Sequence, residues 1–546
     1  MTSHSEVKEE SDTLDYTVPI SYKLDHSGLP LIPQPTTSPF DPLNYPNVWL
    51  KYTILAEVSF LAFLATLNVA IINPAVVPLS AEFNIPHVTG TYQTTVAIGT
   101  SALGPLVFTP FANVYGRRPA YLLSVLIGFA SAVGSASAKT YGTLVLARAI
   151  NGFGPSAALG LGAGTVVDVF FMHQRGKAMG IFTLMLTNGA HLAPIVGGYV
   201  ARDLGWRWCF WVGAILNGVM FIICIFLMPE TLFDRPSRDA DMTGHDAEDN
   251  DGLKHGQQTK FTGEQYVSPG MTRKTYLNRL WIVDLERPVT RQLRAVDFVV
   301  KPLSMLKYPS VAFPALYYAV TYGFASIEPA LTLATLFTEI YQFDTVRNGL
   351  ANGVSLLIGA SLGELCSGPV TDGMMQRARR RALERGDNAP AEVRLQGIWT
   401  GAITVPAGLL MYGLTIHFAT TFIAPCIGMA IACFGVQIVT SVCYTYSCSD
   451  CYRSRSNDVS QCFNFFRQLF GLTLGFYSIP FGKEVCTFLP TFCHSSTNTL
   501  QDRISVVIHR IYWHLYHHIL TDCSLNVPRR ALEEAVRGPE RRMNCS

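Results

Sequence analysis

Eleven long apolar runs are the feature that most constrains how this chain can fold. A helix needs about 20 predominantly apolar residues to cross the hydrocarbon core of a bilayer. Runs of about this length lie near 52–74, 92–112, 120–138, 142–166, 178–201, 208–228, 312–337, 349–371, 396–416, 418–444 and 460–481. A single run is compatible with a buried helix of a soluble protein. Eleven in series predict an all-α polytopic membrane protein.

The composition agrees with a membrane domain and excludes other classes of protein. Asp, Glu, Lys and Arg make up only 15% of the 546 residues, whereas about a quarter is usual in soluble proteins. The net charge of +2 offers no basic excess, so no nucleic-acid partner is expected. The sequence has no GxxxxGK[ST] loop, which argues against an ATP-driven pump. No enzymatic activity, catalytic residue or cofactor is expected.

The runs divide the chain into five parts. Residues 1–50 are polar and rich in proline and are expected to form a disordered cytosolic tail. Six runs form a bundle over 51–228, and five clear runs form a second bundle over 312–482. The segment 229–311 is too polar to bury a core, and we interpret it as a cytosolic linker. The tail 483–546 is atypical.

Basic residues in the loops predict the orientation in the membrane. Short cytosolic loops carry an excess of Lys and Arg. With a cytosolic N-terminus, the cytosolic loops contain Arg117, Arg118, Arg175, Lys177, Arg377, Arg379, Arg380, Arg381, Arg385, Arg394, Arg453 and Arg455. The opposite side contains only Lys139, Arg202, Arg207 and Arg347. We therefore expect a multi-pass protein of the plasma membrane with its N-terminus in the cytosol.

The chain after residue 482 has no run of 18 apolar residues. Its most apolar stretch, 504–520, contains four histidines and an arginine. One interpretation is an amphipathic helix at the membrane surface. The other, which we favour, is that the reading frame departs from the natural one past about residue 482. No metal site is expected there, nor at the lone pair Cys448 and Cys451, which has no second ligand pair nearby.

Two loops in corresponding positions carry the same kind of motif. TPFANVYGRRP at 109–119 joins the second and third runs. Its tight turn requires a glycine, Gly116, and we expect Arg117 and Arg118 to anchor it against carboxylates and helix C-termini. The matching loop of the second half, GPVTDGMMQRARRR at 368–381, has Gly368 and Asp372 at the equivalent positions. A motif that recurs in both halves indicates an internal repeat.

These loops resemble the G-x-L-a-D-r-x-G-r-R gating motif of the major facilitator superfamily, with Asn113 in place of its Asp. The fourth run, LVLARAINGFGPSA at 144–157, resembles the R-x-x-q-G-x-G motif of that family through Arg148. The fifth run, NGAHLAPIVGGYV at 188–200, is similar to the family's antiporter motif. The matching residues of that run are Gly189, Pro194, Gly197 and Gly198.

The motifs in this order resemble the fungal twelve-span drug:proton antiporter branch, over about 48–482. The resemblance implies a major facilitator fold of two six-helix bundles, with the twelfth helix absent or degenerate here. It also implies a monomer that exports a small organic molecule, such as a drug or secondary metabolite, in exchange for protons. Two alternatives stay open: a proton symporter that imports a nutrient or an organic cation such as a polyamine, and a transport-deficient sensor.

Two charged residues are the candidates for proton coupling or gating. Glu328 lies in the middle of the seventh run, before a helix-breaking Pro329. A carboxylate in low dielectric can take up and release a proton near neutrality. Arg148 is an intramembrane arginine, which usually faces a cavity or a partner. The alternatives are a carboxylate paired for structure and an arginine that reaches the interface. Glu57 and Glu364 lie nearer the predicted cytosolic ends, where solvation is easier, and we favour a structural role for both.

Polar side chains within the runs are the candidates for lining the substrate cavity. In folds of two parallel repeats, this cavity lies between the halves at the bilayer midplane. Because a polar side chain can also simply bond a neighbouring helix, only a minority is expected to touch substrate. The candidates are Asn68, Asn188, His191, Tyr322, Asn352, Gln437 and Arg467.

Overall fold

Helices that are long enough to cross a membrane dominate the structure. The computed structural model describes residues 22–24, 31, 33–36, 38, 41–45, 48–233, 263–265, 280, 295–298, 300–383, 391–418, 420–447, 452 and 455–488. Within these ranges, nine helices are both long and apolar enough to span a bilayer. The predicted polytopic helical fold is confirmed.

Six membrane spans form the first half of the protein. Spans 1 to 6 comprise Val48–Ala70 with Val76–Glu82, His87–Ser101 with Leu103–Tyr115, Arg117–Ala136, Tyr141–Phe153 with Ala157–Val169, Met172–Leu204 and Trp206–Leu227. Each of the first six apolar runs coincides with one of these spans. Spans 1 and 4 are interrupted near Pro74 and Pro155, because proline lacks the backbone N–H that continues a helix.

Five spans form the described part of the second half. Spans 7 to 11 comprise Pro309–Tyr322 with Glu328–Tyr341, Thr345–Leu383, Ile398–His417, Ile423–Tyr444 and Ser456–Phe488. Spans 7 and 11 are long helices but are not among the nine most apolar ones. The last span continues six residues into the atypical tail predicted from 483. Residues 489–546 lie outside the described part of the chain, as do Cys448 and Cys451.

Span 7 continues through the position where a break was expected. Gly323–Ile327 form a π-helix, and Pro329 lies in the first turn of the α-helix that begins at Glu328. Because helical residues precede it, Pro329 interrupts the backbone hydrogen-bond ladder, and π turns occur where a helix accommodates such an interruption. The wide π turn therefore accommodates the proline, and the expectation of a helix break is wrong.

Part of the N-terminal tail is folded onto the first half. Residues 41–45 are buried, and the Tyr45 hydroxyl donates a hydrogen bond to the Glu230 carbonyl at 2.9 Å. Leu31 and Leu43 form a small apolar cluster with Phe171, at the start of span 5. These contacts contrast with the expectation of disorder through residue 50.

The linker also contains ordered residues. Gly263–Gln265 pairs in parallel with Tyr22–Leu24, so one two-stranded sheet of three-residue strands joins the linker to the tail. Short helices cover Ala295–Phe298 and Val300–Ser304, just before span 7. The helical fold class therefore stands, with this one small sheet added.

Glycines allow span 5 to pack closely against span 1 of its own half and against span 8 of the other half. A Cβ added to Gly197 would lie 1.9 Å from the carbonyl oxygen of Ile71 in span 1. A Cβ added to Gly349 of span 8 would lie 2.3 Å from the carbonyl oxygen of Pro194. Small residues allow membrane helices to approach this closely. The antiporter-like motif is therefore packed between span 1 and span 8.

Spans 2 and 11 make the second contact between the halves. A Cβ on Gly475 would lie 2.2 Å from Thr95 Oγ1, and one on Gly99 would lie 2.6 Å from the Leu472 side chain. We call the face with the Gly116 turn and the start of span 1 the latch face, and the other the far face. The contact between spans 5 and 8 and the contact between spans 2 and 11 both lie toward the far face, so the halves meet directly there.

Adding a single methyl group at Gly197, where span 5 contacts span 1, is expected to destabilise the protein. In Gly197→Ala the new Cβ meets backbone rather than a flexible side chain, and overpacking of this kind costs roughly 1–3 kcal/mol. We expect a lower midpoint of thermal unfolding in detergent. Gly180→Ala is the matched control in the same span, because nothing lies within 4 Å of its added Cβ. Equal midpoints for the two variants would contradict the packing argument.

Candidate transport site

A single carboxylate holds the turn between spans 2 and 3. Gly116 has φ +109°, which glycine adopts without strain, and an added Cβ would lie 2.3 Å from Glu230 Oε2. Glu230 Oε1 accepts a hydrogen bond from the Arg117 backbone N–H at 2.9 Å, and Oε2 accepts one from Arg118 N–H at 3.1 Å. These N–H groups begin span 3, where the helix dipole favours an anion.

The two arginine side chains extend this contact to spans 4 and 6. Arg117 Nη2 lies 2.6 Å from Asp168 Oδ2 in a salt bridge. Arg118 donates to carbonyl oxygens at the end of span 6, at 3.2 Å to Cys224 and 2.8 Å to Ile225. The turn is thus tied to a carboxylate and to a helix C-terminus. We call Gly116, Arg117, Arg118, Asp168 and Glu230 the latch.

The other motif positions contribute less in this structure. Asn113, at the position of the family's Asp, is exposed. Asp168 is the carboxylate that pairs with Arg117 instead. In the second half, an added Cβ on Gly368 would meet nothing within 4 Å, and the Asp372 side chain lies outside the described residues. A gating role of the second loop stays a prediction.

Arg148 is completely buried, and its hydrogen bonds all go to uncharged groups. It donates to the Asn68 and Val69 carbonyls at 2.7 and 2.8 Å, to Gln93 Oε1 at 2.8 Å and to Asn151 Oδ1 at 2.9 Å. These partners come from span 1, span 2 and its own span. Arg148 therefore joins three spans just before the break in span 1, and it does not reach the interface with water.

Glu328 lies at the junction of the π-helix and the second part of span 7. Its side chain is 3% exposed, and Thr332 Oγ1 contacts its Oε1 at 3.5 Å. No ion pair joins it to Arg148 or to another described cation. The preceding residue, Ile327, packs with Ile98 of span 2. A carboxylate without a cation therefore lies close to the contact between the halves.

Glu364 lies at a polar contact that the sequence interpretation missed. Its Oε1 accepts a hydrogen bond from Thr183 Oγ1 at 2.7 Å, across to span 5. Its Oε2 accepts one from Gln437 Nε2 at 2.6 Å, from span 10. One turn along span 5, Asn188 donates to Ser361 Oγ at 3.4 Å. The structure thus brings Asn188 and Gln437 together around a carboxylate that bridges the halves.

Arg467 has an aromatic environment within the second half. It is 7% exposed and donates to the Tyr318 hydroxyl at 3.2 Å and to Asn464 Oδ1 at 2.9 Å. Its guanidinium carbon lies 4.7 Å from the centre of the Tyr322 ring. Two predicted cavity residues, Tyr322 and Arg467, are therefore in direct contact.

The remaining cavity candidates are buried and only partly satisfied. His191 is 2% exposed, and neither ring nitrogen has a hydrogen-bond partner. Asn352 Oδ1 and Asn68 Nδ2 also lack partners. A Cβ on Gly353, which follows Asn352, would lie 2.7 Å from the His191 carbonyl. His191 and Asn352 therefore belong to the contact between spans 5 and 8.

Glu57 differs from its expectation. It is 4% exposed, and neither carboxylate oxygen has a hydrogen-bond partner. It does not lie at a solvated helix end as its predicted position suggested, because it is nine residues inside span 1, among side chains of the first bundle. Glu230 belongs to the stretch PET at 229–231, just after span 6. Its role depends on a contact 113 residues away in sequence, which no local pattern reveals.

Comparisons with known proteins agree with this arrangement. The family model of the Major Facilitator Superfamily matches residues 58–475. The chain therefore belongs to the major facilitator superfamily, and it is a transporter rather than an enzyme.

Similar proteins include several fungal transporters. The MFS-type transporter penM of Penicillium rubens is 27% identical, over 80% of this chain and 79% of its own length. The cycloheximide resistance protein of Candida maltosa is 28% identical, over 75% of this chain and 69% of its own. Among solved structures, a bacterial homologue of the human lysosomal transporter Spinster, in an inward-facing and unoccupied conformation, is 15% identical. It has a TM-score of 0.50, over 91% of this chain and 93% of that one, which shows the shared fold.

Removing one oxygen from the latch carboxylate is expected to loosen the turn. Glu230→Gln replaces an acceptor by an amide N–H, so a backbone N–H of span 3 loses its partner, at a cost of about 1–3 kcal/mol. We expect faster tryptic cleavage after Arg117 and a lower thermal midpoint; Arg118 is not a tryptic site, because Pro119 follows it. Glu339→Gln, at an exposed position of span 7, is the control. Cleavage at the rate of the unmodified protein would argue against the latch.

Proposed function

We propose that this protein exports a small organic molecule in exchange for protons by alternating access. The observation that carries the proposal is Glu328, a buried carboxylate without a cationic partner close to the contact between the halves. Burying an ionised carboxylate without a partner costs several kcal/mol. The buried arrangement therefore suits the protonated acid, and an arrangement that admits water or substrate suits the anion.

The difference in the free energy of burying protonated and ionised Glu328 couples the proton to the conformational change. A proton bound at Glu328 stabilises the packing of Ile327 and Leu331 against Ile98 of span 2. Loss of the proton favours separation of the halves near span 7. Because a ligand shifts such an equilibrium only by its unequal affinity for the two states, the proton acts as the driving ligand.

The direction of transport rests on the packing of span 5 and on one relative. Gly189, Pro194, Gly197 and Gly198 form an antiporter-like stretch between spans 1 and 8. The relative from Candida maltosa is named for resistance to cycloheximide, and resistance is a common consequence of efflux. Both support export over import. We further place the protein in the plasma membrane as a monomer, with the latch face in the cytosol.

Neutralising the proposed proton carrier is expected to separate substrate movement from the proton gradient. In proteoliposomes with an imposed proton gradient, we expect the unmodified protein to accumulate at least one member of a labelled panel of anionic, neutral and cationic drugs. Glu328→Gln should reduce this accumulation at least about tenfold, because a proton that no longer binds cannot shift the equilibrium between the two states, yet it should retain exchange of substrate without a gradient. Glu339→Gln should behave as the unmodified protein.

Three outcomes would contradict the proposal. Unchanged proton dependence in Glu328→Gln would remove Glu328 as the carrier. Accumulation in the direction of proton flow would favour the symporter. A folded protein that binds the labelled compound without moving it would favour the sensor.

The orientation has its own test. An epitope tag at the N-terminus is expected to bind antibody only after cells are permeabilised, because the basic loops of the latch face belong in the cytosol. A tag inserted at Gly205, which lies between spans 5 and 6 with nothing within 4 Å of an added Cβ, should be reached in intact cells. The reverse pattern would invert the assignment of faces.

A further inference from the structure

Two buried arginines of this protein differ in how their charge is satisfied. Arg148 donates hydrogen bonds to four acceptors, two of them backbone carbonyls. Arg467 donates to two acceptors, the Tyr318 hydroxyl and Asn464 Oδ1, and its Nε–H has no partner. No Asp or Glu among the described side chains forms an ion pair with Arg467. Each nitrogen of the Arg148 guanidinium donates at least one hydrogen bond, whereas the Arg467 Nε–H has no acceptor in the described structure.

A second unused donor lies on the adjacent helical turn. Asn464 is 3% exposed and accepts from Arg467 through Oδ1, while its Nδ2 has no hydrogen-bond partner. A buried donor without an acceptor costs about 1–3 kcal/mol. Guanidinium and amide N–H groups side by side match the two oxygens of a carboxylate. The pair therefore offers donors that suit an anion with two acceptor oxygens.

Aromatic rings surround this pair of donors. The Tyr322 ring centre lies 4.7 Å from the Arg467 guanidinium. Tyr318 lies 5.7 Å from both Tyr322 and Tyr444, measured between ring centres, and Phe463 lies 5.1 Å from Tyr444. We call Tyr318, Tyr322, Tyr444 and Phe463 the aromatic cluster. Rings of this kind bind flat apolar groups through their faces and edges.

The aromatic cluster adjoins the contact between the halves. Tyr322 packs against Ile98, Ile327 and Leu331, together with Val69 of span 1. The residue after Arg467, Gln468, donates a hydrogen bond to Ser101 of span 2. A rearrangement that separates spans 2 and 11 therefore opens a route to Arg467 from between the halves.

We propose that Arg467 and Asn464 bind the acidic group of the transported compound, and that the aromatic cluster holds its flat apolar body. The substrate class is then an organic anion with an aromatic or other planar body. This proposal rests on the proposed function, since it assigns the cargo of the same transporter. A cationic cargo would meet an unpaired guanidinium, and a neutral one would leave its charge uncompensated.

The test compares three probes with the same ring system and different charge. Naphthalene carboxylate, naphthalene carboxamide and naphthylmethylammonium are titrated into the purified full-length protein in nanodiscs, and the shift in thermal midpoint and the dissociation constant are measured. We expect the carboxylate to bind about tenfold or more tightly than the other two. Arg467→Gln should abolish that preference, and Arg467→Lys should keep it with weaker binding.

Arg202→Gln is the matched control. Arg202 also stacks on a tyrosine, 5.4 Å from the Tyr199 ring centre, but its side chain is 50% exposed and paired with Asp203. This variant should retain the preference of the unmodified protein. If Arg467→Gln does not fold, the Arg467→Lys comparison and the preference of the unmodified protein still decide the question.

Three results would overturn the proposal: equal binding of the probes, tighter binding of the ammonium compound, or no binding of any probe to the folded protein. A preference for the carboxylate probe that survives in Arg467→Gln would also overturn the proposal. The measurement uses no proton gradient, so it does not depend on proton-coupled export. Anion binding together with unchanged proton dependence in Glu328→Gln would sink the proposed function alone.

Discussion

The close approach of span 5 to spans 1 and 8 is the constraint on which the rest of the structure depends. At Gly197 the approach leaves no room for a Cβ against the Ile71 carbonyl, and at Gly349 none against Pro194. Lipid tails are as apolar as the helix surfaces, so association in a bilayer relies on packing rather than on the hydrophobic effect. Because one helix contacts a partner in each half, the halves are held in register near the far face. The polar residues between them are positioned by this contact.

Within that frame, the buried charges have different surroundings. The latch arginines meet carboxylates and a helix end. Arg148 meets neutral oxygens from three spans, which secures the first half just before span 1 breaks. Glu328 and Arg467 lack a full set of partners in the described structure. Unsatisfied charge in a low-dielectric interior is costly, so these two positions are the ones at which a proton and an anionic ligand would lower the free energy most.

The motifs predicted positions better than partners. Gly116, Arg117 and Arg118 were recognised from the loop pattern, and the anchoring of such a turn on carboxylates and helix ends follows from elementary electrostatics. The particular carboxylates, Asp168 and Glu230, lie on other helices, and no periodicity relates them to the turn. Glu57 and Glu364 show the same limit. Both residues lie close to predicted helix ends, where solvation is easier. In the structure, neighbouring spans bury Glu57 and supply hydrogen bonds to Glu364.

The amino-acid sequence by itself determined the class of fold. A bilayer requires about 20 apolar residues for each crossing and satisfied backbone hydrogen bonds within each helix, and both requirements are local, so they can be read along the chain. The tertiary structure alone decided which side chains share an environment. It placed Gln437 of span 10 and Thr183 of span 5 on one carboxylate, and it placed Tyr322 of span 7 on Arg467 of span 11. The rotation of each helix about its axis makes that decision, because it depends on close packing among many helices at once.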